Sequence, residues 1–437
     1  MAAAIEQDEY KLLFQNIERG CSLNLRTVVV VNDFGHVNGG AAQVAISSAK
    51  ALAGRGIRVI YFSAVGPLDP SLRDAGVECV NTDQEDILSG NRLVAFARGI
   101  WNGHAAKVLG DLLSTLDKSS SVIHLHGWSK ALSVSVFRAA LDSGIQCVHT
   151  LHEYFSACPN GGFYDYQSNQ ICRKPPMGIQ CISTHCDARS YSHKAWRVAR
   201  QLIATRAAFS TGGIRNVISL SRLSRTVLEP HLEQDIRWYE VRNPVVCLAT
   251  ERTHAEDNTN IVFLGRLSPE KGVDVFLEAA RKQPFNAVVV GDGPLLGDLS
   301  SRFSDARFLG WQDAQGVDQV LRSARALVFP SRWYETFGLT VLEALGYGVP
   351  VIVSDSTAAV DFVTPENGWV FPDGNVDALA ERLRALTDSS LTKRMSESAY
   401  ETYWSDPPDE ASHCSNLIHV YEDVLARSKT VQSALSS

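Results

Sequence analysis

The sequence lacks the features that mark three common classes of protein. No run approaches the roughly 18 apolar residues that a membrane-spanning helix needs. The start, MAAAIEQDEYKLLF, carries acids where a secretory signal has a basic flank and an apolar run. A basic excess is missing too, since the formal net charge is −7, which argues against nucleic-acid binding. We therefore expect a soluble, cytoplasmic protein.

Two further absences concern cysteines and metals. The nine cysteines occur without a signal peptide, so they do not indicate a disulfide framework of the kind found in secreted domains. No D-x-D triplet occurs in the sequence, so a divalent metal held by such carboxylates is not implied.

What is present is an alternation of strand and helix patterns that runs twice through 437 residues. TVVVVNDF reads as a buried parallel strand, and a helix and a second strand, RVIYFSA, follow it. The pattern restarts at NIVFLGRL, after a proline break. We predict an α/β fold with two Rossmann-like, doubly wound domains. Their expected limits are 1–242, with a Cys-rich insertion at 155–190, then 243–405, and a helical segment at 406–437 that packs back across the cleft.

Glycines follow the first strand and open the first helix. Gly39 and Gly40 stand where a backbone can approach phosphate at a helix N-terminus. The spacing is not G-x-G-x-x-G, and RVIYFSA ends without the acid that holds an NAD ribose, which disfavours a dinucleotide enzyme. A tight strand-to-helix turn is the simpler alternative.

The segment PSRWYETFGLTVLEALGYG contains two acids eight positions apart. On a helix that starts after Glu335, Glu343 lies about 12 Å further along the axis. That spacing suits the two ends of one extended ligand better than a glycosidase pair. The N–H groups between them would bind a diphosphate, and they belong to Thr336, Phe337, Gly338 and Leu339. The alternative is two ordinary surface acids.

Two cations in FLGRLSPEKG favour the diphosphate site over the alternative of two surface acids. Arg266 and Lys271 flank a loop between a strand and a helix, at the edge where the acids are expected. Fixed cations are what a diphosphate leaving group requires. An exposed ion-paired Arg and Lys remains the alternative.

These motifs together resemble a known family. GGAAQV, HLHG, GRLSPEKG, GDGP and the E-x7-E pattern ETFGLTVLE are similar to the retaining glycosyltransferases of family 4, which have the GT-B fold. They fall in the family's order from about Val28 to Asp355. The resemblance is to a bacterial-type member with a Cys-rich insertion in its N-terminal domain.

The resemblance implies a role for each matching residue. Glu343 would bind the nucleotide ribose, and Glu335 a hydroxyl of the transferred sugar. Arg266 and Lys271 would neutralise the diphosphate, and His126 would lie beside the donor sugar. His126 could instead be a structural histidine at a strand end, and we expect that of His124 and His152.

The resemblance also implies the remaining contacts and the reaction. Gly291 and Gly293 would lie near the base, and Gly39 and Gly40 would close over the phosphates. The expected reaction moves a sugar from a UDP- or GDP-sugar to a glycan, lipid-linked or small-molecule acceptor, with retention and without a metal, as in polysaccharide biosynthesis. The alternatives are a sugar-nucleotide hydrolase or epimerase, and a noncatalytic GT-B scaffold.

Four cysteines follow the strand HTLHEYF in a loop rich in Gly, Pro and Asn. They are Cys158, Cys172, Cys181 and Cys186. Four thiols in such a loop fit a structural zinc site, although a C-x2-C knuckle is missing and His185 could replace one ligand. Buried reduced thiols and a redox disulfide are the alternatives.

A basic stretch without acids runs from Ala188 to Leu228. Arg189, Lys194, Arg197 and Arg200 surround Trp196 with spacings that could share one helix face. Such a face could bind an anionic acceptor or the inner surface of the membrane. A solvated basic face is the equal alternative.

Overall fold

The computed structural model describes residues 24–84 and 92–436. Residues 1–23 of the predicted first domain lie outside the described residues, as do 85–91 and Ser437. The strands, in chain order, are β1 (Thr27–Phe34), β2 (Arg58–Val65), β3 (Glu78–Asn81), β4 (Ser121–Leu125), β5 (Gln146–Thr150), β6 (Tyr164–Asp165), β7 (Gln170–Ile171), β8 (Asn216–Ser219), β9 (Arg237–Glu240), β10 (Asn260–Leu264), β11 (Asn286–Val290), β12 (Arg307–Phe308), β13 (Ala324–Phe329), β14 (Val351–Ser354) and β15 (Gly368–Phe371).

Helices connect most of these strands. The α-helices are α1 (Gly40–Gly54), α2 (Pro70–Asp74), α3 (Arg92–Ile100), α4 (Gly103–Leu113), α5 (Ser135–Ser143), α6 (Ile179–Ser183), α7 (Tyr191–Ala204), α8 (Arg222–Leu228), α9 (Val273–Ala280), α10 (Leu296–Arg302), α11 (Ala314–Arg322), α12 (Leu339–Gly346), α13 (Val376–Ala385), α14 (Ser389–Ser405) and α15 (Glu410–Ser436). Short turns of other helical types are found at Thr205–Phe209, Glu229–His231, Ala255–Asp257, Pro269–Lys271 and Ala358–Phe362.

All of these strands except β6 and β7, which pair with each other in antiparallel fashion, form two parallel sheets with related topology. The first has the order β3-β2-β1-β4-β5-β8-β9 and the second the order β12-β11-β10-β13-β14-β15. In each sheet the strand order reverses beside the first strand, between β1 and β4 and between β10 and β13. Doubly wound sheets bind ligands at the carboxyl ends of the strands at this switch point. The prediction of two Rossmann-like domains facing across a cleft is confirmed.

The valines of β1 show why both faces of the first sheet are covered. Val29 and Val31 pack into one hydrophobic cluster, whereas Val28 and Val30 pack into another on the opposite face. Side chains alternate along a strand, so an uninterrupted valine run buries both sides.

The C-terminal helix α15 packs on the first sheet, although it follows the second sheet in the chain. Leu417 and Tyr421 lie in the same cluster as Val28 and Val30. The chain therefore crosses between the sheets twice. The two crossings lie side by side, because the Val245 N–H donates to the Pro408 carbonyl oxygen at 2.8 Å.

We predict that Leu417→Ala lowers the free energy of unfolding by about 2–5 kcal/mol, because a buried leucine leaves a cavity when it is truncated. Leu417 is 1% exposed, whereas Leu202 on α7 is 45% exposed and serves as the matched control. Leu202→Ala should change stability by less than about 0.5 kcal/mol. Urea unfolding measures both, and equal losses would contradict the packing of α15 as core.

Candidate active site

The carboxyl edges of the two sheets meet around a cavity of about 310 Å³. From the first sheet come the start of α1 and the loop after β5, and from the second the loops after β10 and β13. The polar residues that line this donor cavity are His152, Glu153, Asn243, Lys271, Ser331, Trp333, Glu335, Thr336 and Thr340. One hydrogen bond joins the two walls, from Thr336 Oγ1 to the His152 carbonyl oxygen at 3.3 Å.

The carboxylate of Glu335 is held through one of its two oxygens. Oε2 accepts hydrogen bonds from Lys271 Nζ at 2.5 Å, from Trp333 Nε1 at 2.8 Å and from Ser331 Oγ at 3.3 Å. The Lys271 ammonium also lies 5.3 Å from the centre of the Trp333 ring. Within the described residues no group donates to Oε1 of Glu335. That oxygen is therefore available to accept from a ligand hydroxyl.

A second cavity of about 770 Å³ adjoins the first and contains two more of the predicted residues. Arg266 and Glu343 line it, and the two cavities share Leu264, Gly265 and Thr340. The predicted residues thus separate into two neighbouring groups, Lys271 with Glu335 and Arg266 with Glu343. The start of α12 lies between them, so one extended ligand could reach both.

Burial raises the pKa of Glu343 from its ordinary value to about 7. No hydrogen bond or ion pair from the described residues offsets the loss of water around this carboxyl. Its charge therefore changes near neutral pH, which is unusual for a glutamate.

The helix between the cavities starts later than the sequence predicted. α12 begins at Leu339 with Gly338 as its N-cap, so Thr336 and Phe337 precede the helix. The reason is tertiary, because Glu335 pairs with Thr357 in a parallel bridge and its carbonyl accepts from the Ala358 N–H at 3.0 Å. Thr340, in the first turn of α12, lines both cavities, so the start of the helix still lies at their shared wall.

Two of the four predicted glycines, Gly291 and Gly293, lie at close backbone approaches. A Cβ on Gly291 would stand 1.9 Å from the Gly265 carbonyl oxygen, and one on Gly293 would stand 2.4 Å from that of Leu267. Both glycines line the second cavity, where the base was expected. Gly40 lines the donor cavity, and Gly39, with φ of 155°, is the N-cap of α1.

A hydrogen-bonded row of histidines runs from α15 to the donor cavity, with His124 in β4, His126 just after β4 and His152 after β5. Tyr421 Oη lies 2.6 Å from His124 Nδ1, His124 Nδ1 lies 3.2 Å from His126 Nε2, and His126 Nδ1 lies 2.9 Å from His152 Nε2. His126 is only 2% exposed and does not line the cavity, whereas His152 does. The structure therefore places His152, not the predicted His126, at the cavity wall. Burial lowers the pKa of His152 to about 3, so its ring is neutral.

The cysteine loop surrounds a buried lysine. The Lys194 ammonium donates to Cys186 Sγ at 3.2 Å and to Cys181 Sγ at 3.6 Å. Across residues 24–84 and 92–436, no three His, Cys, Asp or Glu side chains are arranged to hold a metal ion. Zinc bound by Cys158, Cys172, Cys181 and Cys186 stays a prediction. Metal analysis of the purified protein would decide the matter.

The expected basic face around Trp196 is largely buried. Lys194 is 1% exposed among the thiols, and Arg200 is 4% exposed with its guanidinium 4.6 Å from the Phe155 ring centre. Arg197 pairs with the buried Asp187 at 2.9 Å. The prediction of one exposed basic helix face is therefore wrong, because Lys194, Arg197 and Arg200 contact interior groups. Arg189 is exposed but precedes α7. Across the described residues no helix is long and apolar enough to cross a membrane.

Solved structures with a similar two-domain fold align with most of the chain. HepE of Anabaena, in complex with UDP, has a TM-score of 0.64 at 18% identity, over 91% of this chain and 100% of that one. The sucrose-phosphate synthase of Thermosynechococcus elongatus has a TM-score of 0.65 at 17% identity, over 92% and 100%. At such identity the likeness shows the fold alone, which is GT-B.

The sequence of the second half is similar to that of a particular family. Residues 249–402 match the family described as Glycosyl transferases group 1. An uncharacterized glycosyltransferase of Methanocaldococcus jannaschii is 32% identical over 39% of this chain and 47% of its own length. The GDP-mannose-dependent alpha-mannosyltransferase of Mycolicibacterium smegmatis is 36% identical over 40% and 46%. The chain spans about half the length of the curated relatives it matches.

We predict that Glu343 makes nucleotide binding depend on pH. Wild-type affinity for UDP or GDP should fall as the pH drops from 8 to 6, since a protonated carboxyl accepts hydrogen bonds less strongly than a carboxylate. Glu343→Gln should bind weakly at both pH values. The phosphate of the ligand also changes its charge over this pH range, and it does so equally for both proteins. The ratio of the two calorimetric Kd values therefore isolates the contribution of Glu343. A ratio that does not vary with pH would contradict this role.

Proposed function

We propose that the chain is a retaining glycosyltransferase that uses a UDP- or GDP-sugar and needs no metal for catalysis. The observation that carries the proposal is the pair of adjoining cavities, with Lys271 and Glu335 in one and Arg266 and Glu343 in the other. A sugar nucleotide has the same order of parts, with a sugar, a diphosphate and a nucleoside. It would lie with its diphosphate at the start of α12, between Lys271 and Arg266.

Each residue then acts on a stated part of the donor. The free Oε1 of Glu335 accepts from a sugar hydroxyl, and Glu343 accepts from the ribose. The neutral ring of His152 faces the sugar from the first sheet. Gly291 and Gly293 let the second cavity admit the base beside Trp311, which is 75% exposed.

The reaction follows from the charge that the donor releases. The bond from the anomeric carbon to the diphosphate oxygen breaks, a bond from that carbon to the acceptor oxygen forms, and the acceptor proton passes to the diphosphate. Lys271, Arg266 and the first N–H groups of α12 stabilise the departing charge more than they stabilise the bound donor, which lowers the barrier. Attack from the leaving-group side retains the anomeric configuration.

The same proposal also covers the nucleotide of the donor, the acceptor and the location in the cell. HepE is solved with UDP, and relatives of the second half use GDP-mannose, so both nucleotides are candidates. The proposal includes a glycan or lipid-linked acceptor and a place in the cytoplasm, at the inner face of the membrane. A relative described as a phosphatidyl-myo-inositol mannosyltransferase of Mycobacterium leprae supports the lipid-linked acceptor.

A thermal-shift screen of UDP, GDP and their sugars tests the donor site, because a ligand that binds the folded state alone raises the melting temperature. Nuclear magnetic resonance of the product then reads the anomeric configuration. Release of free sugar alone would identify a hydrolase, and free sugar nucleotide of changed configuration an epimerase. No response to any nucleotide would leave a noncatalytic scaffold.

We predict that Lys271→Ala or Arg266→Ala lowers kcat by about 100-fold or more, as removal of one preorganised donor to a developing charge does. Each variant should keep the wild-type melting temperature without ligand. Lys282→Ala is the matched control, because Lys282 lies on the surface of the same domain and pairs with Asp377 at 2.7 Å. Wild-type turnover in a folded Lys271→Ala, Arg266→Ala double variant would remove the site assignment.

A further inference from the structure

Three charged side chains line the donor cavity, and Glu153 is the one that the donor chemistry does not use. Lys271 and Glu335 pair with each other at 2.5 Å. Glu153 stands on the loop after β5 and comes from the opposite wall. Within the described residues it takes part in no hydrogen bond and no ion pair.

The position of Glu153 is fixed by its neighbours on both sides. His152 precedes it and accepts a hydrogen bond from Thr336 through its carbonyl, so this loop touches the segment that follows Glu335. Tyr154 follows it and is fully buried. A backbone anchored before and after Glu153 keeps the carboxyl at the cavity wall.

The electrostatic surroundings of Glu153 are unusual for a surface acid. Burial raises the pKa of its carboxyl, and Asp33 raises it further, whereas Lys130, Arg200 and Arg197 lower it. The side chain itself is exposed in the cleft, and within the described residues no hydrogen bond holds its carboxyl. A ligand hydroxyl would supply that hydrogen bond.

A buried cation, Arg200, lies behind this wall and does not line the cavity. The guanidinium of Arg200, whose charge acts on Glu153, stacks on Phe155 and donates from Nη1 to the Ser129 carbonyl at 3.1 Å. Its Nε and Nη2 atoms have no partner. The cation therefore stays behind the wall and leaves Glu153 as the group that a ligand meets.

We propose that Glu153 binds the acceptor and accepts a hydrogen bond from the hydroxyl that attacks the transferred sugar. This inference rests on the proposed function and extends it to the acceptor side. A carboxylate repels a phosphate at the same point, so the acceptor presents a neutral hydroxyl there, as a sugar or polyol does. An anionic group of the acceptor, such as a lipid diphosphate, lies further from the cleft.

The test compares wild type with Glu153→Ala and Glu153→Gln, with water and glycerol as acceptors. UDP and GDP binding is measured by calorimetry, and nucleoside diphosphate release from the sugar nucleotide gives kcat. Glu153→Ala should keep the wild-type Kd and lose about tenfold or more in kcat, as loss of a hydrogen bond to a charged group does. The kcat of Glu153→Gln should lie between those of wild type and Glu153→Ala, because an amide oxygen still accepts a hydrogen bond. Glu366→Ala, an exposed loop acid outside both cavities, is the control.

Glycerol 3-phosphate gives a second readout, which loss of folding would not imitate. Wild type should prefer glycerol, and the preference should shift towards glycerol 3-phosphate in Glu153→Gln because the repelling charge is gone. Wild-type kcat in Glu153→Ala would overturn the proposal. Weakened nucleotide binding in that variant would overturn it as well, by making Glu153 a donor residue. If wild type itself neither binds nor cleaves any sugar nucleotide, the proposed function fails and this proposal fails with it.

Discussion

Lys271 and Glu335 lie 64 residues apart in the chain, yet their side chains form an ion pair at the carboxyl edge of the second sheet. The pair exists because β10 and β13 are neighbours in the sheet, so the loops that follow them start at the same place. Oppositely charged groups that hold each other in the free protein stay where a ligand needs them. The cavity, the start of α12 and the second cavity are all arranged around this contact.

The Cys-rich insertion supports the same contact from the first sheet. A Cβ on Gly162 would stand 3.1 Å from the Trp333 ring, so the insertion packs directly on the residue that donates to Glu335. The thiols and Lys194 lie behind this contact and fill the interior of a loop with little regular structure. The insertion therefore helps to position Trp333 in the site, whether or not its cysteines bind a metal.

The sequence allowed prediction of the fold and of the donor-side charges for a clear physical reason. Valine runs and strand-helix alternation are local, Lys271 and Glu335 lie in the segments that follow strands, and Glu343 lies inside the helix that the same pattern predicts. His126 and His152 could not be told apart, since both follow strands and only the packing buries one behind the other. Lys194 and Arg200 were expected at the surface because local sequence does not show which cations meet thiols or aromatic rings. The late start of α12 depends on a bridge to Thr357, far along the chain.

The two crossings of the chain between the sheets restrict how the two domains can move relative to each other. Residues near Val245 and Pro408 carry the chain between the sheets in opposite directions, and they are bonded to each other. Arg242 and Asp406, at the same place, form an ion pair at 2.6 Å. Two adjacent interdomain segments act as a hinge. They allow the two domains to rotate about one axis and restrict twisting and sliding of one domain against the other. Opening and closing of the cleft about that axis is then the motion that the two connections favour.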